Sequence, residues 1–117
     1  MTIWQGDVFW IDLGEPRGSG PGLLHPYVVV QSDAFNASRI QTIAVCAITS
    51  NLQRAAVPGN VLLRKGEAGL KKPSVVNVSQ LYTVDRSAFS RKIGSLPKER
   101  IREIFAGLTL LLEPREI

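Results

Sequence analysis

Cysteine and histidine occur once each in this sequence, as Cys46 and His25. One thiol excludes an intrachain disulfide, and one thiol with one imidazole cannot assemble a zinc centre of the usual ligand type. Inside the apolar run Thr42–Ile48, Cys46 reads as a small core residue of a protein kept in a reducing compartment. Long hydrophobic runs are also missing. No uninterrupted apolar stretch approaches the roughly 20 residues that a membrane-spanning helix requires. The start, Met1-Thr2-Ile3-Trp4-Gln5, has neither the basic segment nor the apolar run of a secretory leader. A cytoplasmic location without membrane contact is therefore expected. The carboxylates are scattered, without the ligand spacing of a calcium loop, and no glycine-rich phosphate fingerprint precedes a helix. Neither a metal nor an organic cofactor is expected, so an enzyme made from these residues works with side chains alone.

What is present suits one globular domain spanning residues 1–117, with 44% hydrophobic residues. A chain of this size buries roughly two thirds of its unfolded surface and needs no covalent staple. Fourteen Lys and Arg against ten Asp and Glu give a net charge of +4 and an isoelectric point of about 9.6. That balance favours polyanions or acidic proteins as partners.

The pattern is a series of short strands closed by one helix. Asp7–Leu13 is rich in β-formers. Gly14–Gly22, with four glycines and two prolines in nine residues, is a loop, and a loop this long in a small domain is usually functional. Tyr27–Gln31 and Thr42–Ile48 are buried strands, with Asp33 expected to cap the turn between them. Asn60–Arg64, Ser74–Val78, Leu81–Val84 and Arg91–Ile93 complete the strand set. Ile101, Ile104, Phe105, Leu108, Leu111 and Leu112 recur at helical spacing after Pro97 and stop before Pro114. This pattern predicts a mainly β fold: a small barrel or strongly bent antiparallel sheet with a C-terminal helix packed across it. Trp10, Phe35 and the valine runs are expected in the core. Trp4 is the aromatic with some freedom to stack a base, although burial fits it better.

Five segments, in order and in register, resemble the MazF/PemK toxin family. They are Gly6–Leu13 followed by Pro16-Arg17-Gly18-Ser19; His25–Asn36; Ala47–Leu52; Pro58–Val61; and Ser74–Gln80. With the closing helix, the likeness spans nearly the whole chain. It implies an SH3-like barrel of the MazF/CcdB type and a homodimer. It also implies sequence-specific, metal-independent cleavage of single-stranded RNA, restrained by an antitoxin with an acidic C-terminal segment. In such cleavage the 2′-hydroxyl attacks the adjacent phosphorus, leaving a 2′,3′-cyclic phosphate and a free 5′-hydroxyl. Protein groups must move two protons and stabilise charge on phosphate oxygens.

His25 suits either proton role, since an unperturbed imidazole titrates near 6.5. It stands where most relatives carry Arg, a permanent cation with a rigid donor fork. The likeness also makes Thr49 part of the catalytic site, where its hydroxyl would donate to a phosphate oxygen. Arg17, Ser19, Ser50, Asn51, Asn77, Gln80 and Arg86 are the expected RNA contacts. Arg54 and the pair Lys71-Lys72 are further cations near a phosphate path. Two other functions fit the same scaffold. One is a module that binds RNA or antitoxin with weak or no catalysis. The other is a gyrase poison of the CcdB type, disfavoured because the chain end, Leu112–Ile117, lacks the Trp-Gly element of that group.

Overall fold

The computed structural model describes residues 1–14 and 24–116. Six strands form: β1 (Asp7–Asp12), β2 (Leu24–Val29), β3 (Thr42–Thr49), β4 (Val61–Leu63), β5 (Ser74–Asp85) and β6 (Phe89–Ser95). A four-residue helix, α1 (Asp33–Asn36), follows β2, and α2 (Lys98–Leu111) ends the fold. The strands make one sheet in the order β4-β5-β3-β2-β1-β6, with antiparallel pairing throughout.

The sheet curls, and two features explain how. Ser74–Asp85 is one long strand where the polar pair Ser79-Gln80 had suggested a break between two. Its pairing with β3 jumps from Ala47↔Asn77 to Cys46↔Leu81, so residues 78–80 form a bulge in the register. The bulge bends the strand, and its two halves serve different parts of the sheet. At the far end, the 3-10 turn Glu67–Gly69 that follows β4 packs against β6, the opposite edge. A Cβ on Gly94 would overlap the backbone of Ala68, and one on Gly69 would meet the Ile93 carbonyl at 2.7 Å. Only glycine permits both approaches, and together they draw the two edges of the sheet toward each other.

Period-two alternation gives each face of the sheet its own apolar cluster. One contains Val8, Val28, Cys46, Ile48, Leu63, Val76 and Val78, covered by Ile104 and Leu108 of α2. The other contains Phe9, Ile11, Tyr27, Val29, Ile43, Val45, Ala47, Val84 and Phe89. Phe9 and Phe89 meet edge to face with centroids 5.1 Å apart. Fully burying each large side chain is worth about 1.5–3 kcal/mol, so these clusters hold the sheet closed. Burial also pushes the Cys46 thiol up to about 12, which keeps it protonated and inert. The helix stripe is divided: Ile104 and Leu108 are buried, but Phe105, Leu111 and Leu112 remain exposed.

Three local expectations are corrected. Phe35 is exposed rather than core, because it lies on the outer side of the single turn of α1. Trp10 is only half-buried. Asp33 is the first residue of α1 rather than its cap, a position taken by Ser32. The Asp33 carboxylate instead accepts from the Gln5 amide and from Asn36 Nδ2, tying the N-terminal segment to α1.

Candidate active site

A groove of about 850 Å³ opens where β2 begins and β3 ends. The β2–β3 register runs Tyr27↔Ala47, Val28↔Cys46, Val29↔Val45. Continued by two residues, it sets His25 opposite Thr49. Residues at that register share one face of the sheet, and both line the groove. Pro26, which has no N–H to give, is tolerated beside His25 because pairing to β3 starts only at Tyr27, while Pro26 pairs with Trp10 of β1.

The Thr49 hydroxyl oxygen accepts from the Asn51 amide at 3.1 Å, which leaves its proton to donate. Asn51 in turn caps the 3-10 turn Leu52–Ala56, its side-chain oxygen accepting from the Gln53 amide at 3.2 Å. Thr49-Ser50-Asn51 is thus both a turn and a wall of the groove, and Ser50 lines it beside them.

Asn77 lies at the groove floor, 4% exposed, and its amide is engaged. Its oxygen accepts from Asn60 Nδ2 at 3.3 Å and from Ser79 Oγ at 2.9 Å, and its nitrogen donates to Gln80 Oε1 at 3.1 Å. Asn60 also donates to the Arg54 carbonyl and accepts from the Val78 amide at the bulge. This amide chain positions Gln80, which lines the groove. Asn60 was not singled out from sequence. Its signal there was membership of the Pro58–Val61 segment, where it also opens a strand.

The groove is cationic. Arg54, Lys71, Lys72, Arg91 and Lys92 line it, and among the described residues no carboxylate does. Lys92 is anchored 3.3 Å from buried Asp7, which also accepts from Ser95 Oγ at 2.7 Å. Arg91 and Lys92 escaped the sequence reading because they reach this wall only through the packing of turn Glu67–Gly69 on β6. Arg86 is placed elsewhere. Its guanidinium donates to the Ile40 and Asn36 carbonyls, both at 2.8 Å, clamping the end of β5 to the segment after α1. Arg17 and Ser19 lie outside the described residues. Among the described residues, no three His, Cys, Asp or Glu side chains cluster as metal ligands.

One ion pair supports the lysine side of the groove. Arg100 of α2 grips Glu67 with two hydrogen bonds of 2.8 and 2.9 Å, and Glu67 also accepts from the Arg64 amide. The Arg100 hydrogen bonds hold the Glu67 carboxyl below its ordinary range, helped by the Arg64 amide and opposed by partial burial. This fastens α2 to the turn leading into Lys71 and Lys72.

Comparison with known proteins identifies the family. The family described as PemK-like, MazF-like toxin of type II toxin-antitoxin system matches residues 4–112. The chain is 39% identical over 113 residues to Endoribonuclease MazF2 of Mycobacterium bovis, covering 97% of this chain and 99% of that protein. It matches Endoribonuclease MazF6 of Mycobacterium tuberculosis to the same extent. Among solved structures, MazF from Deinococcus radiodurans superposes with a TM-score of 0.79 at 23% identity, over 97% of this chain and 99% of that one. A mycobacterial endoribonuclease in complex with its cognate antitoxin superposes with a TM-score of 0.74 at 17% identity, over 99% and 98%. The chain therefore belongs to the PemK-like, MazF-like family of toxins of type II toxin-antitoxin systems.

Proposed function

We propose that this chain is the toxin of a type II pair and a metal-independent endoribonuclease, with His25 and Thr49 as its catalytic residues. The observation that carries the reading is the groove itself: His25 and Thr49 line it together, among cations and, among the described residues, without a carboxylate. Cations along a path bind a phosphate backbone whatever its sequence. A hydroxyl and an imidazole at one point of that path supply what phosphoryl transfer within RNA needs. The 2′-oxygen forms a bond to phosphorus as the bond to the 5′-oxygen breaks. One proton leaves the 2′-hydroxyl and one reaches the departing 5′-oxygen, with His25 in one of these roles. Thr49 donates to a non-bridging oxygen as charge builds there. Ser50, Asn51 and Gln80 contact the RNA beside them, and Arg17 and Ser19 extend the contact from the loop.

The relatives are named endoribonucleases, and this favours cleavage over the binding-only and gyrase-poison alternatives. The partners we assign are a second copy of the chain, single-stranded RNA, and an antitoxin whose acidic segment occupies the cationic groove. Among the described residues no helix is long and apolar enough to cross a membrane, and we place the activity in the cytoplasm. The test is incubation of purified protein with a long unstructured transcript in EDTA, followed by mapping of new termini. Discrete cuts ending in 2′,3′-cyclic phosphate and 5′-hydroxyl are expected. RNA left intact, or cut only after metal is restored, overturns the reading.

A further inference from the structure

We infer that Trp10 and Arg91 form a subsite for one unpaired nucleotide flanking the cut, the indole stacking the base and the guanidinium holding its phosphate. This rests on the ribonuclease reading above. Three observations carry it.

Trp10 is an anomaly within its own strand. Its neighbours Val8, Phe9 and Ile11 are at most 1% exposed, while Trp10 is half-buried and lines the groove. A large ring only partly buried at a groove leaves apolar area that a ligand can cover. The backbone is also irregular at this residue. Pairing of β1 with β6 passes from Phe9↔Lys92 to Ile11↔Phe89, so Trp10 alone faces both Ser90 and Arg91. Bulges of this kind re-aim side chains and recur beside functional sites. Here the bulge sets exposed Arg91 opposite Trp10, and both residues line the groove. Finally, Trp10 pairs across β1–β2 with Pro26, the residue after His25. Proline gives the indole a stiff neighbour, and Trp10, Pro26 and His25 all line the groove. The base stacked there belongs to a nucleotide next to the scissile phosphate.

Single-stranded RNA is the substrate class that offers an unstacked base beside a phosphate, and aromatic rings with nearby cations are how proteins hold it. A base inside a duplex is already stacked and cannot enter. Stacking tolerates any base, so Trp10 contributes affinity, while choice among bases falls to groups that hydrogen-bond.

The test uses fluorescence and kinetics together. Trp4 is the other of the two tryptophans, so Trp4→Phe leaves Trp10 as sole reporter. Titration with a single-stranded oligonucleotide blocked at every 2′-hydroxyl by O-methylation should quench Trp10 saturably, and the corresponding duplex should not. Binding is followed in parallel by anisotropy of the labelled oligonucleotide. With cleavable RNA, Trp10→Leu should raise KM on the order of 10-fold with kcat changed little, and Trp10→Phe should restore most of the loss. Arg91→Gln should raise KM and flatten its salt dependence. Binding without quenching overturns the subsite, as does a Trp10→Leu variant of normal KM or a Trp10→Phe variant as impaired as Leu. If Trp10→Leu fails to fold, the fluorescence titration decides. Cleavage by Trp4→Phe without quenching removes the subsite and leaves the ribonuclease standing. A protein that neither binds nor cuts single-stranded RNA removes both.

Discussion

Replacing Glu67 with Gln removes one charge at the joint between α2 and the groove and leaves the shape unchanged. In the native protein the Glu67 carboxylate accepts two hydrogen bonds from Arg100 and one from the Arg64 amide, and both side chains are 18% exposed. The amide retains one acceptor oxygen but presents an N–H₂ toward the guanidinium. Arg100 keeps Glu103 as a partner at 2.8 Å, so its charge is not stranded. Exposed pairs are worth about 0.2–1 kcal/mol, and breaking a fully buried one costs about 3–5 kcal/mol. A pair of intermediate burial, screened in part by solvent and salt, should be worth about 1.5–2 kcal/mol. With an unfolding entropy of about 2.1 cal/mol/K per residue, this lowers Tm by roughly 6–8 °C. The pH dependence follows from the direction of the Glu67 shift. The folded carboxyl titrates below its unfolded value of about 4.3. The stabilisation is therefore complete above that value and is lost as pH falls through the folded one. Urea unfolding of wild type and Glu67→Gln should show the full gap from pH 6 to 8, narrowing progressively below about 4.3. A gap under about 0.5 kcal/mol at neutral pH, or one of equal size in acid, refutes the assigned role of the pair.

Tyr27→Phe should be neutral or stabilising by up to about 1 kcal/mol. The Tyr27 hydroxyl is buried with no hydrogen-bond partner among the described residues, and burial is the main force pushing its pKa up to about 12. Thermal melts check this, and a drop of several degrees would mean the hydroxyl has a partner. Gly107→Ala should cost about 1–3 kcal/mol despite alanine's better helix propensity, since the new Cβ would overlap the Gly59 carbonyl. A raised Tm would contradict that packing. Asn60→Ala should cost about 1–3 kcal/mol by leaving the Val78 amide and Asn77 oxygen short of a partner. It should also slow RNA cleavage through misplacement of Gln80, read as a loss of activity in the fraction still folded.

The sequence carried the elements that hydrophobic pattern alone specifies. Thr42–Ile48 is apolar on both faces because β3 is central, and it appears as β3 with its end one residue later. Boundaries failed where pairing overrides local signals. The strand read as Tyr27–Gln31 runs from Leu24 to Val29, because its first residues pair with β1. Ser79-Gln80 resembled a strand end and is a bulge inside β5. At the site, the lone imidazole before a buried strand and the Thr-Ser-Asn cluster after another drew attention to His25 and Thr49, and both line the groove. Residues set by long-range contact were not legible. Arg86 bears the charge of a phosphate ligand, but its partners are carbonyls 46 and 50 residues away in sequence. Trp10 reads as core by hydropathy, and the bulge that turns it to the groove leaves no trace in composition.

The central claim is that His25 and Thr49 act together on one phosphate. Single-turnover cleavage of a defined RNA in EDTA by wild type, His25→Ala, Thr49→Ala and the double variant tests it most directly. Each single substitution should slow cleavage by roughly 100-fold or more without lowering Tm. The double variant should be scarcely slower than the worse single one, because groups that act as a unit are strongly non-additive. Wild-type rates in either single variant, or losses that simply multiply in the double, would contradict the account.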